Sequence, residues 1–137
     1  MARHHRITIQ PEPGFTAALQ RLDAFAMYPP DWDDGGAATI ASDTILRAKE
    51  LVQGVYRSVQ HSDEAEPFYI GPIPNGGIQV EWRGIAEGIE VEIRPDGTYG
   101  CLHVQTNAHE PAMHHQRAVS YDTIVALVAG ILDVSRP

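Results

Sequence analysis

Residues 78–97 read IQVEWRGIAEGIEVEIRPDG, and this stretch decides the fold. Apolar side chains occupy every second position in residues 78–82 and again in residues 89–93, with charged or amide side chains between them. A period of two predicts strands that have one buried face and one polar face. A turn signal at 95–97 leads into a further strand at Thr98–Gln105. The stretch therefore predicts an antiparallel meander.

Turn chemistry also predicts how these strands pair. Asp-Gly is a strong signal for a two-residue hairpin loop, so we take residues 96–97 as that loop. This choice places Glu92 opposite Cys101 and Glu90 opposite His103. The apolar partners of the two strands then match in face, as burial on one side requires.

The preceding hairpin is predicted from the same requirement. A four-residue loop at 85–88 pairs Arg83 with Glu90, a favourable contact, and Glu81 with Glu92, a like-charge contact. Together the two registers predict a shared polar face of the sheet. Its predicted members are Glu81, Arg83, Glu90, Glu92, Arg94, Tyr99, Cys101 and His103.

Elements on either side of the meander follow from helical spacing and from Gly and Pro. We expect helices over residues 14–27 and 42–59, the second with Ser42 as its N-cap and with a close contact or a bend at Gly54. Residues 68–73 read as an edge strand because Pro72 lies within it. Residues 106–119 show no clear period, and Ser120 can cap a last helix.

These elements predict an α+β fold, in which an antiparallel β-meander of about four strands is packed on one face by two or three helices. The length of 137 residues fits one domain, so we expect residues 1–137 to form a single domain with a flexible N-terminus at 1–12.

Charge excludes one class of partner. The chain has ten Lys and Arg against eighteen Asp and Glu, a formal charge of −8, and the acidic excess lies within residues 31–110. Proteins that bind nucleic acid through its phosphates carry basic patches, whereas the longest basic cluster in this chain is residues 3–6. The sequence therefore predicts no binding to a nucleic-acid backbone.

Hydropathy and cysteine content predict a cytoplasmic protein. No run reaches the roughly 20 apolar residues that cross a bilayer, and residues 1–10 are polar where a signal peptide is apolar. We expect no membrane association. Cys101 is the single cysteine, so it can form no internal disulfide. No sequence motif for a cofactor is present, and we expect none to be bound.

The predicted polar face allows an enzymatic interpretation. Facing carboxylates can raise a pKa and a histidine can transfer protons, which makes Glu81, Glu90, Glu92 and His103 the candidate catalytic residues. The simpler interpretation is a solvated sheet face, because antiparallel sheets commonly carry mixed charges on the side that faces water.

A His-rich segment raises the question of a metal. His109, His114 and His115 are the candidate ligands, but their spacings of five and six do not match the HExxH motif, and Pro111 interrupts any helix. We expect no dedicated metal site.

Residues 31–37, DWDDGGA, form an acidic, Gly-rich loop around Trp32. Trp32 has two interpretations: a lid folded over the sheet, which we favour, or an exposed anchor for a partner. The candidate partner-binding residues are three residues of this loop and three polar residues of the predicted strand at 78–83. They are Trp32, Asp33, Asp34, Gln79, Glu81 and Arg83.

Two motifs carry a resemblance. Residues 31–37 and residues 72–82, PIPNGGIQVEW, precede a strand and a Pro-Asp-Gly turn. In this arrangement the chain resembles a group of small uncharacterised bacterial proteins that read W-D-x-x-G-A ahead of a helix and P-x-P-(N/D)-G-G-I-Q-x-E-W ahead of an E-I-x-I-x-P-D-G hairpin. The resemblance covers roughly residues 31–99 and implies no reaction.

The leading hypothesis is a non-enzymatic interaction protein. A small acidic domain without a catalytic motif suits binding, regulation or neutralisation of another bacterial protein with a basic surface, as in antitoxin, immunity or accessory roles. The alternative is a small hydrolase-like or metal-assisted enzyme that uses the Glu and His cluster. A third hypothesis is a homo-oligomer formed through the edge strand at 68–73.

Overall fold

A computed structural model describes residues 13–59, 65–105 and 112–134. The predicted flexible segment at 1–12 lies outside these residues. The helices are α1 (Pro13–Ala24), extended by a 3₁₀ turn (Phe25–Met27), α2 (Ser42–Ser58) and α3 (Tyr121–Val134). The strands are β1 (Tyr69–Pro72), β2 (Ile78–Arg83), β3 (Glu87–Ile93), β4 (Tyr99–Gln105) and β5 (Ala112–Val119).

The strands form one antiparallel sheet in the order β1-β2-β3-β4-β5. This confirms the predicted α+β meander, with β1 at one edge, but the described residues form five strands rather than about four. Sequence periodicity missed β5 because its apolar and polar residues do not alternate, and residues 115–118 are all exposed. A bulge also interrupts the strand. Two residues of β5, Arg117 and Ala118, lie opposite the single residue Gly100.

All three helices pack on one side of the sheet, which we call the covered face. Alternate residues of β1–β4 are buried there in a single cluster with α1, α2 and α3. Trp82 is completely buried in this cluster, and its Nε1 donates a hydrogen bond to the Ala65 carbonyl oxygen at 3.0 Å. Within the described residues, no helix is both long enough and apolar enough to span a membrane.

The N-cap of α3 is as predicted: Ser120 Oγ accepts the Thr123 amide at 3.1 Å. The predicted N-cap of α2, Ser42, is wrong, because α2 already begins at this residue. Ala41 takes the cap position and makes no side-chain hydrogen bond. The close contact predicted at Gly54 is present. A Cβ atom there would come within 2.2 Å of the Tyr121 hydroxyl, so α2 and α3 approach closely at this glycine.

The β3–β4 register differs by one residue from the prediction. Its loop has three residues, Pro95 to Gly97, closed by a hydrogen bond from the Arg94 amide to the Thr98 carbonyl at 3.0 Å. Pro95 suits the second position of a type I turn, and Gly97 follows in the left-handed region at φ +90°. This loop therefore replaces the expected two-residue one.

The β2–β3 register also differs. The Gly84 amide donates to the Glu87 carbonyl at 2.7 Å, which leaves a two-residue loop of Ile85 and Ala86. In this pairing Glu81 lies opposite Glu90, and the predicted pairs of Glu81 with Glu92 and of Arg83 with Glu90 are wrong. Trp82 still shares the face of its partner Ile89.

Candidate functional site

The second side of the sheet, opposite the helices, is the open face. It carries the alternate residues that the register turns away from the core, and most of them are half-buried or exposed. Those used below are Tyr69, Gln79, Glu81, Arg83, Glu90, Glu92, Gly100, Leu102 and His115.

Three carboxylates on this face lie close together, and each has a donor beside it. Arg83 Nε lies 2.7 Å from Glu81 Oε2, and Gln79 Nε2 donates to Glu90 Oε1 at 3.0 Å. Glu92 is paired with Arg94 at 3.4 Å. These contacts offset the repulsion expected from Glu81 and Glu90 as direct cross-strand partners. The carboxylates are therefore held in a defined arrangement.

Arg94 also connects two parts of the sheet at the β3–β4 turn. Its Nη1 donates to the Arg117 carbonyl at 2.6 Å and to Thr98 Oγ1 at 3.2 Å, which ties the β3–β4 turn to β5. Its guanidinium lies over Gly100, where a Cβ would come within 2.3 Å of Nη2. Gly100 therefore leaves room for the arginine to lie flat against the sheet.

A shallow cleft of about 290 Å³ lies in the middle of the open face. Glu90, Glu92 and Gln79 line one part of it, and Leu102 and His115 line another. Carboxylates beside an apolar side chain suit a lysine or arginine side chain, because its methylene stem packs while its charged head is paired. The cleft can therefore receive a basic group from another molecule.

The predicted polar face is partly wrong, since the observed β3–β4 register turns three of its residues to the covered face. Tyr99, Cys101 and His103 pair with Ile93, Val91 and Ile89, whose side chains are buried against the helices. Burial raises the pKa of the Cys101 thiol. The physical cause is desolvation, which disfavours the charged thiolate.

The candidate catalytic residues are consequently divided. Glu81, Glu90 and Glu92 lie on the open face, whereas His103 lies on the covered face and its Nε2 is 2.8 Å from Glu87 Oε1. The sheet itself separates this histidine from the three carboxylates. The four residues do not converge on one site.

Of the three candidate metal ligands, the structure describes the side chain of one. His109 lies outside the described residues, and the structure defines only the backbone of His114, within β5. His115 is exposed and lines the cleft. Across residues 13–59, 65–105 and 112–134, no three His, Cys, Asp or Glu residues are arranged to hold a metal ion.

Trp32 is half-buried and lies outside the core cluster, so the favoured interpretation as a lid over the sheet is wrong. Its ring packs edge-on against Tyr28 with centroids 5.6 Å apart, and its Nε1 donates to the Ala38 carbonyl at 2.9 Å. Asp33 Oδ1 accepts the amides of Gly35 and Ala37 at 2.8 and 3.0 Å. The tryptophan and this carboxylate thus hold the loop in shape.

The predicted partner-binding residues fall into two groups. The loop that contains Trp32, Asp33 and Asp34 is followed by Ala38, whose amide donates to the Pro74 carbonyl ahead of β2. Arg83 is at the far end of β2, and five residues of strand span roughly 17 Å. Sequence reasoning therefore found the open-face group, but the loop and Arg83 lie near opposite ends of this strand.

Sequence reasoning missed Leu102, His115 and Tyr69 as parts of the open face. Leu102 was placed on the buried side by the incorrect register, and His115 lay in a segment without a period. Pro95 ahead of Asp-Gly was the signal that favours a three-residue loop, and this loop would have placed Leu102 correctly.

Comparisons of the chain with known protein families, with curated proteins and with solved structures found no match.

Proposed function

We propose that this chain is a small acidic interaction protein whose open face binds a basic surface of another bacterial protein and thereby regulates or neutralises it. An antitoxin, immunity or accessory role is consistent with such binding. The observation that carries the proposal is the one-sided fold: three helices cover one face of the sheet, while three paired carboxylates and a cleft occupy the other.

Preorganised charge supports association with a basic partner. The glutamates of the open face are already held by neighbouring donors, so binding would order few additional side chains. A basic side chain that enters the cleft between Glu90 and Glu92 would gain two carboxylates and the apolar contact of Leu102. Charge complementarity of this kind favours encounter and fixes register.

The proposal places the protein in the cytoplasm, where its lone cysteine stays a free thiol. Cys101 is buried, and the chain has no second cysteine with which it could form an internal disulfide. As part of the same proposal, the chain is a member of the small bacterial protein family with the W-D-x-x-G-A motif.

A pull-down from the bacterium that encodes the chain tests this function. The intact protein serves as bait, and the recovered proteins are quantified by mass spectrometry. We expect a basic partner whose recovery falls at least about tenfold in the Glu90→Gln/Glu92→Gln variant, the change produced by losing one charged hydrogen bond.

Asp43→Asn is the matched control, because it removes a carboxylate from the exposed first turn of α2. It should recover as much partner as the natural chain. The proposal fails if no recovered protein depends on Glu90 and Glu92 and the protein elutes alone as a monomer. A self-associated species in light scattering would instead favour the homo-oligomer through the edge strand β1.

Among the described residues, the position of His103 does not favour the enzymatic alternative, because this histidine lies on the other side of the sheet from the three glutamates.

A further inference from the structure

A second groove lies on the helical side of the protein, where α2, the β3–β4 turn and the start of α3 meet. Its volume is about 610 Å³, within the range of small-molecule sites. It is lined by Arg47, Glu50, Gln53, Arg57, Gly97, Tyr99 and Tyr121. We call it the basic groove, because two arginines face a single carboxylate in a chain whose formal charge is −8.

Helical spacing explains how α2 supplies one wall. Arg47, Glu50, Gln53 and Arg57 are separated by three, three and four residues, so they follow one another along the same side of the helix. The two arginines are thereby placed at opposite ends of the same wall.

These arginines differ from three other basic residues of the protein, although Arg21 and Arg117 also form no ion pair among the described residues. Lys49, Arg83 and Arg94 each pair with a carboxylate. In the portion of the chain that the structure describes, neither Arg47 nor Arg57 has a carboxylate partner. Two arginines that form no ion pair among the described residues therefore line one groove, together with the single carboxylate of Glu50.

Arg47 is packed against the β3–β4 turn. Its guanidinium lies against Gly97, where a Cβ would come within 3.3 Å of Cζ and Nη2. Its Nη1 is buried and lacks a hydrogen-bond acceptor among the described residues. Buried donors in proteins almost always have acceptors, and an unpaired charged donor is especially costly. An anion in the groove would place negative charge beside this guanidinium.

Two tyrosines form the opposite wall. The rings of Tyr99 and Tyr121 lie with centroids 6.4 Å apart, and the Tyr121 hydroxyl donates to the Glu50 carbonyl at 2.9 Å. Burial raises the pKa of both phenols, while Arg47 lowers that of Tyr99 and Arg57 lowers that of Tyr121. The tyrosines therefore stay protonated at neutral pH and present flat aromatic surface beside the two cations.

We propose that the basic groove binds a small organic anion in which a phosphate or carboxylate group is attached to a planar ring. Arg57 would pair with the oxyanion, since a guanidinium group matches the oxygens of a phosphate or a carboxylate. Arg47, at the other end of the wall, would add positive charge to the same groove. The tyrosine rings would contact the planar part. The groove lies on the opposite side of the sheet from the open face, so this site and the proposed partner surface are independent.

Titration of the full-length protein with phenyl phosphate, benzoate and inorganic phosphate tests the site by NMR and calorimetry at low ionic strength. Phenyl phosphate or benzoate should bind saturably and shift the amides of α2 and of residues 97–99, and the tighter of the two identifies the preferred oxyanion. Inorganic phosphate should bind more weakly because it lacks the ring.

Arg57→Gln is the principal variant, because Arg57 is exposed and its replacement spares the core. It should weaken binding at least about tenfold. Glu50→Gln should strengthen binding, since it removes the one carboxylate of the groove. Arg83→Gln removes the same charge from the open face and should leave the affinity unchanged.

Three results would overturn the proposal. The first is the absence of saturable binding up to about 10 mM, where the affinity would be too weak to matter. The second is equal affinity of the ring-bearing anions for the natural chain and for Arg57→Gln. The third is binding of inorganic phosphate that is as tight as the binding of the ring-bearing anions. The last two would indicate an adventitious ion only.

Discussion

Alternate residues of β2 show how differently the two faces of the sheet are built. Val80 and Trp82 on the covered face are fully buried, whereas Glu81 is half-buried and Arg83 is exposed on the open face. The buried pair is held by packing, and the open pair by an ion pair of 2.7 Å. Packing of large apolar side chains contributes several kcal/mol, whereas an exposed ion pair contributes about 0–1 kcal/mol.

The comparison separates stability from binding. The covered face tolerates little loss of apolar side chains before the protein unfolds, because its cluster joins each described helix to the sheet. The open face can change its charges at small cost to stability, because its contacts are local and partly exposed to water. A surface of this kind is free to specialise for a partner.

Replacing Trp82 with Ala tests the comparison most severely. We expect a loss of about 3–5 kcal/mol in the free energy of unfolding, because the substitution leaves a large cavity and removes the hydrogen bond to Ala65. This is a large share of the roughly 5–15 kcal/mol of a typical domain. Urea denaturation measures it. Gln79→Ala on the same strand should cost less than about 1 kcal/mol, and equal losses would contradict the distinction between faces.

Gly54→Ala tests the packing of α2 against α3 on the covered side. Alanine favours helices by about 1 kcal/mol, yet we expect a net loss of about 1–3 kcal/mol because its Cβ collides with the Tyr121 hydroxyl. Thermal and chemical denaturation measure the loss. In a Tyr121→Phe background the same change should cost distinctly less, and an unchanged cost would show that the hydroxyl is not the obstacle.

Glu90→Gln tests the open face. It removes one member of the Glu81–Glu90 pair and keeps a group that can accept from Gln79, so we expect stability to change by no more than about 0.5 kcal/mol. Denaturation midpoints measure this. A loss above about 2 kcal/mol would mean that the open face, like the covered face, is essential for folding.

The smallest effect is expected at the turn between β3 and β4. The side-chain hydrogen bond from Thr98 lowers the pKa of Asp96 below its ordinary value of 3.8. A carboxyl group whose pKa is lowered in the folded state stabilises the fold at pH values above its ordinary pKa. This contribution is lost as the pH falls through the lowered pKa. Thr98→Val should raise the Asp96 pKa toward 3.8 in an NMR titration. An unchanged pKa would exclude the hydroxyl as its main cause.

Much of the fold could be predicted from periodicity and caps. The strand around Trp82, the last helix after Ser120 and the contact at Gly54 are all present as expected. The candidate site was harder to predict. A one-residue change in the β3–β4 register exchanges the two faces of β4, which moved His103 away from the glutamates and brought Leu102 next to them.

By itself, the sequence determined the α+β class, the meander and the acidic strand positions, because alternation and helical spacing are local properties that a short window contains. Only the tertiary structure decided which residues meet. Strand register depends on the geometry of each turn, the fifth strand on its pairing with β4, and the basic groove on the approach of α2, α3 and a β-turn that are distant in the chain. Non-local contacts of this kind leave no period in the sequence.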